Sequence, residues 1–181
     1  LPAHAHNTQD AIRCTYEYAD FIRQFTNSLS VPKEAYPDGI TVLAPIETWS
    51  DDFSMAIAGI PSTVNDFSAG PFMQNYYHSQ YDNQDVYQEA VYQFHHECYL
   101  KLIMAIDRLV LPPMNFSNTM NAAADGIHEN ALSFADPEQT ILLNNLQTVS
   151  VSAEHIYKKI CQINAEYAEL SNSEARTAFR H

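Results

Sequence analysis

The chain has 181 residues, 46% of them hydrophobic and only 17% charged, a composition that predicts a folded chain with a buried core. Asp and Glu number 22 against 9 Lys and Arg, which gives a formal net charge of −13 with His neutral. Such a chain lacks the positive surface that nucleic acids and anionic membranes require. No apolar run approaches the roughly 20 residues that span a bilayer, so neither a nucleic-acid partner nor a membrane segment is predicted.

The first predicted element is an amphipathic helix over residues 8–29. Its apolar side chains recur at helical spacing, and they are Ala11, Tyr18, Ile22, Phe25 and Leu29. A connector rich in proline follows over residues 31–45, and Ile40 to Leu43 within it has the composition of a short strand.

The next segment predicts a short helix over residues 50–58, which stops at Gly59, and a strand over residues 59–64 that starts from this glycine. Residues 65–83 are rich in Asn, Ser and Tyr and predict a long loop. Loops of this length in compact domains are usually functional, so the loop is the first place to look for a site.

Two long helices are predicted in the second half of the chain. The first covers residues 85–110, with an apolar stripe formed by Tyr87, Val91, Phe94, Cys98, Leu102, Ala105 and Leu109. Residues 114–135 predict only a helical piece from His128 to Phe134. The second long helix is predicted to begin at Asp136-Pro137, with Asp136 as its N-cap. Residues 148–152 are rich in Ser and β-branched side chains, and an interruption of the helix is expected there.

The second long helix carries a stripe that repeats every seven residues. Its members are Leu142, Leu146, Val149, Ala153, Ile156, Ile160, Ile163, Tyr167 and Leu170. Two interpretations remain open, because the stripe suits either packing within the chain or an exposed dimerisation seam. Taken together, the elements predict a mostly α fold with one or two short strands.

Histidines and cysteines are the first candidates for metal ligands. Cys14, Cys98 and Cys161 are too widely spaced for a zinc knot and are predicted to be buried packing residues. His95 and His96 are adjacent in a helix, and neighbouring helical side chains point about 100° apart, so a solvated face is predicted rather than a metal pair. His78 lies in the loop between tyrosines, where it is either an exposed side chain or a metal ligand.

Three segments resemble the last third of the catalytic domain of the two-zinc exopeptidases, a family of bacterial aminopeptidases, glutamate carboxypeptidase and the inactive transferrin receptor. In chain order they are Ser50-Asp51-Asp52-Phe53 ahead of Gly59-Ile60-Pro61, then Tyr77-His78-Ser79-Gln80-Tyr81-Asp82-Asn83, then the long helix with its closing prolines. The resemblance implies that residues 1–113 are the C-terminal portion of an α/β peptidase domain. It also implies that residues 114–181 are a helical, dimerisation-like region.

The resemblance implies roles for several residues. His78 matches the last zinc ligand of the family, and Tyr77 matches a residue that stabilises the tetrahedral intermediate. Asp51, or Asp52 in its place, matches an acidic position near the substrate pocket, although both carboxylates also suit the N-cap of the following turn. Tyr76 and Tyr81 are expected near the same pocket.

The family holds two zinc ions with several ligands, and most of them have no match here. The chain has no Glu-Glu pair to supply a ligand and the general base, and His4 and His6 lack the aspartate that follows the family's early histidine. At most one zinc ligand is present, whereas a catalytic zinc needs about three. Together with the missing initiator Met, this predicts a C-terminal fragment of a longer peptidase that acts on peptide substrates and is inactive alone.

Two other hypotheses remain open. The chain could be a non-catalytic binding or dimerisation module of the same family, forming a homodimer through its last helices. It could also be a helical bundle in which the motif has no role. The sequence does not assign a compartment.

Overall fold

The computed structural model describes residues 7–66, 71–130 and 137–170, together with Thr177. These residues are mostly helical and include one small three-stranded sheet, which confirms the predicted fold class at this level. They form two compact units. The first contains the described residues of Leu1–Thr15 and Ile22–Asp107, and the second contains those of Tyr16–Phe21 and Arg108–His181.

The first unit is built on the sheet. Strand β1 (Asp10–Cys14) lies in the centre, between β2 (Ile40–Leu43) and β3 (Thr63–Asn65). The β1–β2 pair is parallel and places Ile12 opposite Val42, and the β1–β3 pair is antiparallel and places Ile12 opposite Asn65.

The helix predicted over residues 8–29 is wrong in its first half. Residues 10–14 form β1, a short 3-10 turn follows at Tyr16–Tyr18, and helix α1 covers only Ala19–Asn27. Burial in β1 alternates, with Asp10, Ile12 and Cys14 inside, which is the period of a strand covered on one face. The predicted stripe includes Ala11, which lies one residue out of this register.

The predicted strand at Ile40–Leu43 is confirmed as β2. The strand predicted over residues 59–64 is shorter and lies later, at Thr63–Asn65. Helix α2 (Phe53–Ile57) precedes it and is followed by Gly59 at a φ of +79°, a left-handed conformation that glycine adopts without steric cost. In the predicted loop over 65–83 lies a further short helix, α3 (Pro71–Asn75), while residues 67–70 are outside the described part.

Helix α4 (Glu89–Asp107) contacts β1 and β3 through its side chains. Its buried apolar residues are Val91, Phe94, Cys98 and Leu102, four of the seven in the predicted stripe. The helix begins later than predicted, because residues 84–86 form a 3-10 turn in which Asn83 Oδ1 accepts a hydrogen bond from the Asp85 amide at 2.8 Å. Tyr87 therefore lies outside α4 and is exposed.

The second unit contains two long helices, α5 (Phe116–Asn130) and α6 (Pro137–Ala168), which pack on each other. The helical piece predicted from His128 is wrong in its start. Helix α5 begins at Phe116 because Asn115 Oδ1 accepts hydrogen bonds from the Ser117 amide at 3.1 Å and the Ser117 hydroxyl at 2.7 Å. Asn115 itself is buried, and its Nδ2 donates to Asp20 Oδ2 at 2.6 Å.

Helix α6 is continuous through residues 148–152, contrary to the expected interruption. The hydroxyls of Thr148 and Ser152 donate to carbonyls four residues earlier, at 2.9 and 3.1 Å, so these side chains are satisfied within the helix. The predicted N-cap Asp136 lies outside the described residues.

The seven-residue stripe of α6 is divided between two environments. Leu146, Ala153 and Ile160 are half-buried and Tyr167 is buried. Leu142, Val149 and Ile156, also seven residues apart, are 48, 50 and 62% exposed. The part of the stripe formed by these three residues is available for contact in the chain as described.

Cys14 and Cys98 are buried as predicted, whereas Cys161 is only half-buried. Within the described ranges no helix is both long and apolar enough to cross a bilayer.

Candidate functional site

A cavity of about 370 Å³ opens in the first unit, next to the sheet. Residues from four segments of the chain line it: β1, the segment that leads into α2, the end of β3 with the residue that follows it, and α3 with the residues after it. The lining residues are Arg13, Glu47, Trp49, Ser50, Asp51, Asp52, Val64, Asn65, Asp66, Met73 and Tyr77. This volume is at the lower end of the range for small-molecule sites.

One wall of the cavity is an ion-pair cluster centred on Arg13. Its Nε donates to Asp66 Oδ2 at 2.8 Å, its Nη2 lies 3.0 Å from Glu47 Oε1, and its Nη1 donates to the Pro45 carbonyl at 2.9 Å. The Arg13 side chain is 16% exposed and that of Asp66 only 4%. All three nitrogens of the guanidinium are therefore committed to the protein, and they fix the end of β1 to the loop before α2.

Asp51 and Asp52 lie on the cavity wall, in the turn that leads into α2. Asp52 is the N-cap residue of this helix, but its side chain makes no capping hydrogen bond. Its Oδ1 instead accepts from the Ser50 hydroxyl, and its buried Oδ2 has no hydrogen-bond partner among the described residues. Helix capping, the alternative role for Asp52, therefore does not account for this carboxylate.

Tyr77 reaches the cavity from the residues that follow α3. Its amide donates to the Phe72 carbonyl at 3.0 Å, and its ring meets that of buried Phe72 edge-on, with centroids 5.8 Å apart. His78 comes next and is exposed, with its ring stacked on Tyr77 at 3.9 Å. Its φ of 53° is uncommon outside glycine, and such conformations cluster at functional sites.

The structure brings together some of the predicted site residues and not others. Asp51, Asp52 and Tyr77 line one cavity, while His78 lies beside Tyr77 and outside the lining. Tyr76 is half-buried and Tyr81 is 60% exposed, and neither lines the cavity. Among the described residues, no group of three or more His, Cys, Asp or Glu side chains is placed to hold a metal ion.

A second polar cluster lies in the core of the same unit. His95 is fully buried, which corrects its predicted place on a solvated face; His96 is exposed. His95 Nε2 lies 2.7 Å from the Tyr36 hydroxyl and 3.9 Å from Asp10 Oδ1. Asn65 Nδ2 donates to the same Asp10 oxygen at 2.9 Å, so one residue of the cavity wall also supports the buried cluster.

Burial dominates the ionisation of this cluster. It raises the pKa of Asp10 to about 6 from an ordinary value of 3.8, because desolvation outweighs the hydrogen bond from Asn65. Burial also raises the pKa of Tyr99 to about 12 and that of Tyr36 further still. Because Asp10 and His95 are closed off from solvent, we assign the cluster a structural role.

Sequence reasoning missed Arg13, Glu47, Trp49 and Asp66. The predicted first helix contains Arg13, and only the strand that replaces it aims this side chain at the cavity. Trp49 does carry a sequence signal, because it is the single tryptophan of the chain and directly precedes Ser50-Asp51-Asp52.

Comparisons of the chain with protein-family models, with curated proteins and with solved structures gave no significant match.

Proposed function

We propose that the chain is the C-terminal part of a zinc-dependent exopeptidase, to whose active site it contributes Tyr77 and His78. The observation that carries the proposal is the meeting of two distant segments at one cavity. Asp51 and Asp52 lie on its wall together with Tyr77, the neighbour of His78. The family resemblance assigns these same two segments to the active site.

The resemblance suggests a role for each residue, and the chemistry of each side chain supports it. Tyr77 packs against Phe72 and lines the cavity, and a phenol is suited to donate a hydrogen bond to the oxyanion that forms during amide hydrolysis. The exposed imidazole of His78 is suited to bind zinc. Asp51 and Asp52 would contact the substrate.

The described residues do not make a zinc site by themselves, because they contain no group of three suitable ligands. The proposal therefore requires further ligands and a general base from outside them. The chain alone is expected to be inactive, with peptide as the substrate of the complete enzyme.

The first experiment examines the coding sequence upstream of this chain and the protein that it encodes. We expect an upstream His-x-Asp, a bridging Asp and a Glu-Glu pair. In the encoded protein, His78→Ala should lose bound zinc by elemental analysis and lower kcat/KM by at least about a hundredfold. Tyr77→Phe should lower kcat while the zinc content stays unchanged.

His96→Ala is the matched control, because His96 is an exposed histidine on α4, and it should retain both zinc and activity. Three results would each overturn the proposal: an upstream region without these ligands, full activity in His78→Ala, or metal-dependent hydrolysis by the isolated chain.

A second candidate function, a non-catalytic dimerisation module, is favoured by the exposed part of the α6 stripe. Leu142, Val149 and Ile156 repeat every seven residues, the spacing that brings side chains onto one seam between two helices. A second copy of the chain can present the same seam, so the occupant in this hypothesis is a homodimer partner.

The dimer is tested by light scattering on the chain and on Val149→Asp/Ile156→Asp. The hypothesis predicts a mass of two chains that falls to one in the double variant, because two charges would be buried in the seam. His155→Asp is the control, since His155 is exposed and lies about 100° around the helix from Ile156. A monomeric wild-type chain would eliminate this hypothesis.

A further inference from the structure

Arg13 lies in the most regular part of the first unit. It belongs to the central strand β1, with Leu43 of β2 paired on one side and Val64 of β3 on the other. Its Nε donates to Asp66 Oδ2 at 2.8 Å, and the Asp66 amide donates to the Ala11 carbonyl of the same strand at 2.7 Å. Both side chains of the ion pair are largely shielded from water, so the guanidinium is held at one place beside the sheet.

Residues 44–52 contrast with this regular part. They connect β2 to α2, belong to no helix or strand, and supply Trp49, Asp51 and Asp52 to the cavity wall. Within the described residues, every hydrogen bond or ion pair that joins this segment to an element other than α2 ends on the guanidinium of Arg13. The directional contacts of the segment therefore depend on one side chain.

The two acceptors on the segment are close to the residues of the candidate site. Arg13 Nη1 donates to the Pro45 carbonyl at 2.9 Å, and Nη2 lies 3.0 Å from Glu47 Oε1. The Ser50 amide in turn donates to the Glu47 carbonyl at 3.1 Å, so the position of Glu47 sets that of the turn into α2. Buried Ile46 also anchors the segment, but apolar burial has no preferred direction and does not fix the turn by itself.

We infer that Arg13 is a positioning residue of the candidate site. Its guanidinium joins residues 44–52 to Asp66, the residue that follows β3, and so holds Asp51 and Asp52 at the cavity wall. Arginine suits this task because its donors form a rigid planar fork, whereas the ammonium of lysine is a single point of charge. The inference rests on the proposed function for the identity of the site and deepens it by adding a residue on which activity depends without contact with the substrate.

The first test measures the mobility of Trp49 in the full chain, which has no other tryptophan. Arg13→Lys keeps a positive charge beside Asp66 but cannot reach all three acceptors at once. Glu47→Ala removes one acceptor and leaves the shielded pair of Arg13 with Asp66 intact. In both variants the fluorescence anisotropy of Trp49 should fall and its quenching by acrylamide should increase, while circular dichroism shows a folded chain.

Two further variants separate positioning from a general loss of stability. Glu47→Gln should restore the wild-type anisotropy of Trp49, because its amide oxygen can still accept from Arg13. The matched control is Arg108→Lys, since Arg108 is exposed and outside the cavity, and it should leave Trp49 unchanged.

The second test measures catalysis in the complete encoded protein. Arg13→Lys should lower kcat/KM by about a hundredfold with unchanged bound zinc, because a displacement of about 1 Å at a site costs this much. Arg13→Lys/Glu47→Ala should lose no more than Arg13→Lys alone, since both changes break the same link. Asn164→Ala, a change to a buried residue of the second unit, is the control for lost stability and should retain kcat/KM at a temperature where it is folded.

Unchanged anisotropy in both Arg13→Lys and Glu47→Ala would overturn the inference, and so would an unchanged kcat/KM in Arg13→Lys. If Arg13→Lys does not fold, Glu47→Ala decides alone, because its side chain is partly exposed. The anisotropy measurement needs neither zinc nor hydrolysis. A more mobile Trp49 in these variants, in a chain whose complete protein binds no zinc, would retain Arg13 as the residue that holds the cavity wall and eliminate the peptidase.

Discussion

Asp10 shows how one buried carboxyl can make stability depend on pH. It is 2% exposed, lies in the central strand and faces His95, Tyr36, Tyr99 and Asn65. Its pKa is about 6 in the folded chain and near the ordinary 3.8 when unfolded, so between these values the folded chain binds more protons. The stabilisation is fully present below about pH 4 and is lost as the pH rises through 6.

We therefore expect Asp10→Asn to flatten this part of the pH profile. Between pH 4 and pH 7 the free energy of unfolding of the wild-type chain should fall by roughly 3 kcal/mol more than that of the variant. A difference of about two pKa units between the folded and unfolded chain corresponds to about this free energy. Urea unfolding followed by Trp49 fluorescence measures the difference. Asp38→Asn, at an exposed position, is the control, and parallel profiles for Asp10→Asn and the wild-type chain would contradict the expectation.

At the level of elements, the side-chain amide of Asn164 supplies hydrogen bonds to backbone groups that lie outside any helix or strand. Asn164 of α6 is buried, and its Oδ1 accepts from the amides of Val110 and Leu111 at 3.0 Å each. Its Nδ2 returns a hydrogen bond to the Leu111 carbonyl at 2.9 Å. One residue thus satisfies three backbone groups of the segment that leads into α5.

Asn164→Ala should destabilise the second unit by about 3 kcal/mol, because it leaves these backbone groups without partners. Gln162→Ala, an exposed change two residues away on α6, should cost less than about 0.5 kcal/mol. Urea unfolding followed by circular dichroism at 222 nm compares the two. Equal midpoints for both variants would mean that water replaces the amide at no cost.

Helices were predicted correctly where the spacing of apolar residues agreed with prolines that start or end a helix. Helix α4 has a regular stripe and closing prolines, and α6 opens on Pro137 and is continuous to Ala168. The prediction of a helix failed at β1, because its five residues, Asp10–Cys14, are too few to distinguish the period of a helix from that of a strand. The start of α5 was missed although its capping bonds, from Ser117 to Asn115, are local; only the contact that holds Asn115 in place, with Asp20, lies almost a hundred positions away.

For the whole molecule, the residues of the candidate site that were predicted lie in local motifs, and those that were missed depend on contacts between distant parts of the chain. Asp51, Asp52 and Tyr77 were found because they belong to short motifs. Arg13 and Asp66 are 53 positions apart, and only the pairing of β1 with β3 brings them to one wall. Local sequence patterns do not encode such pairings. The burial of His95 was not predicted for the same reason, since its partner Tyr36 lies 59 positions away.

The capping role of Asn115 has a consequence for how the chain can be modified. Asn115-Phe116-Ser117 has the form of an N-glycosylation acceptor, and the side-chain nitrogen is the atom that would carry the sugar. In the fold that nitrogen donates to Asp20, and the residue is 5% exposed. Because a side chain so buried leaves no room for a sugar, a secretory host that attached a glycan at Asn115 would displace it from Asp20 and disturb the start of α5.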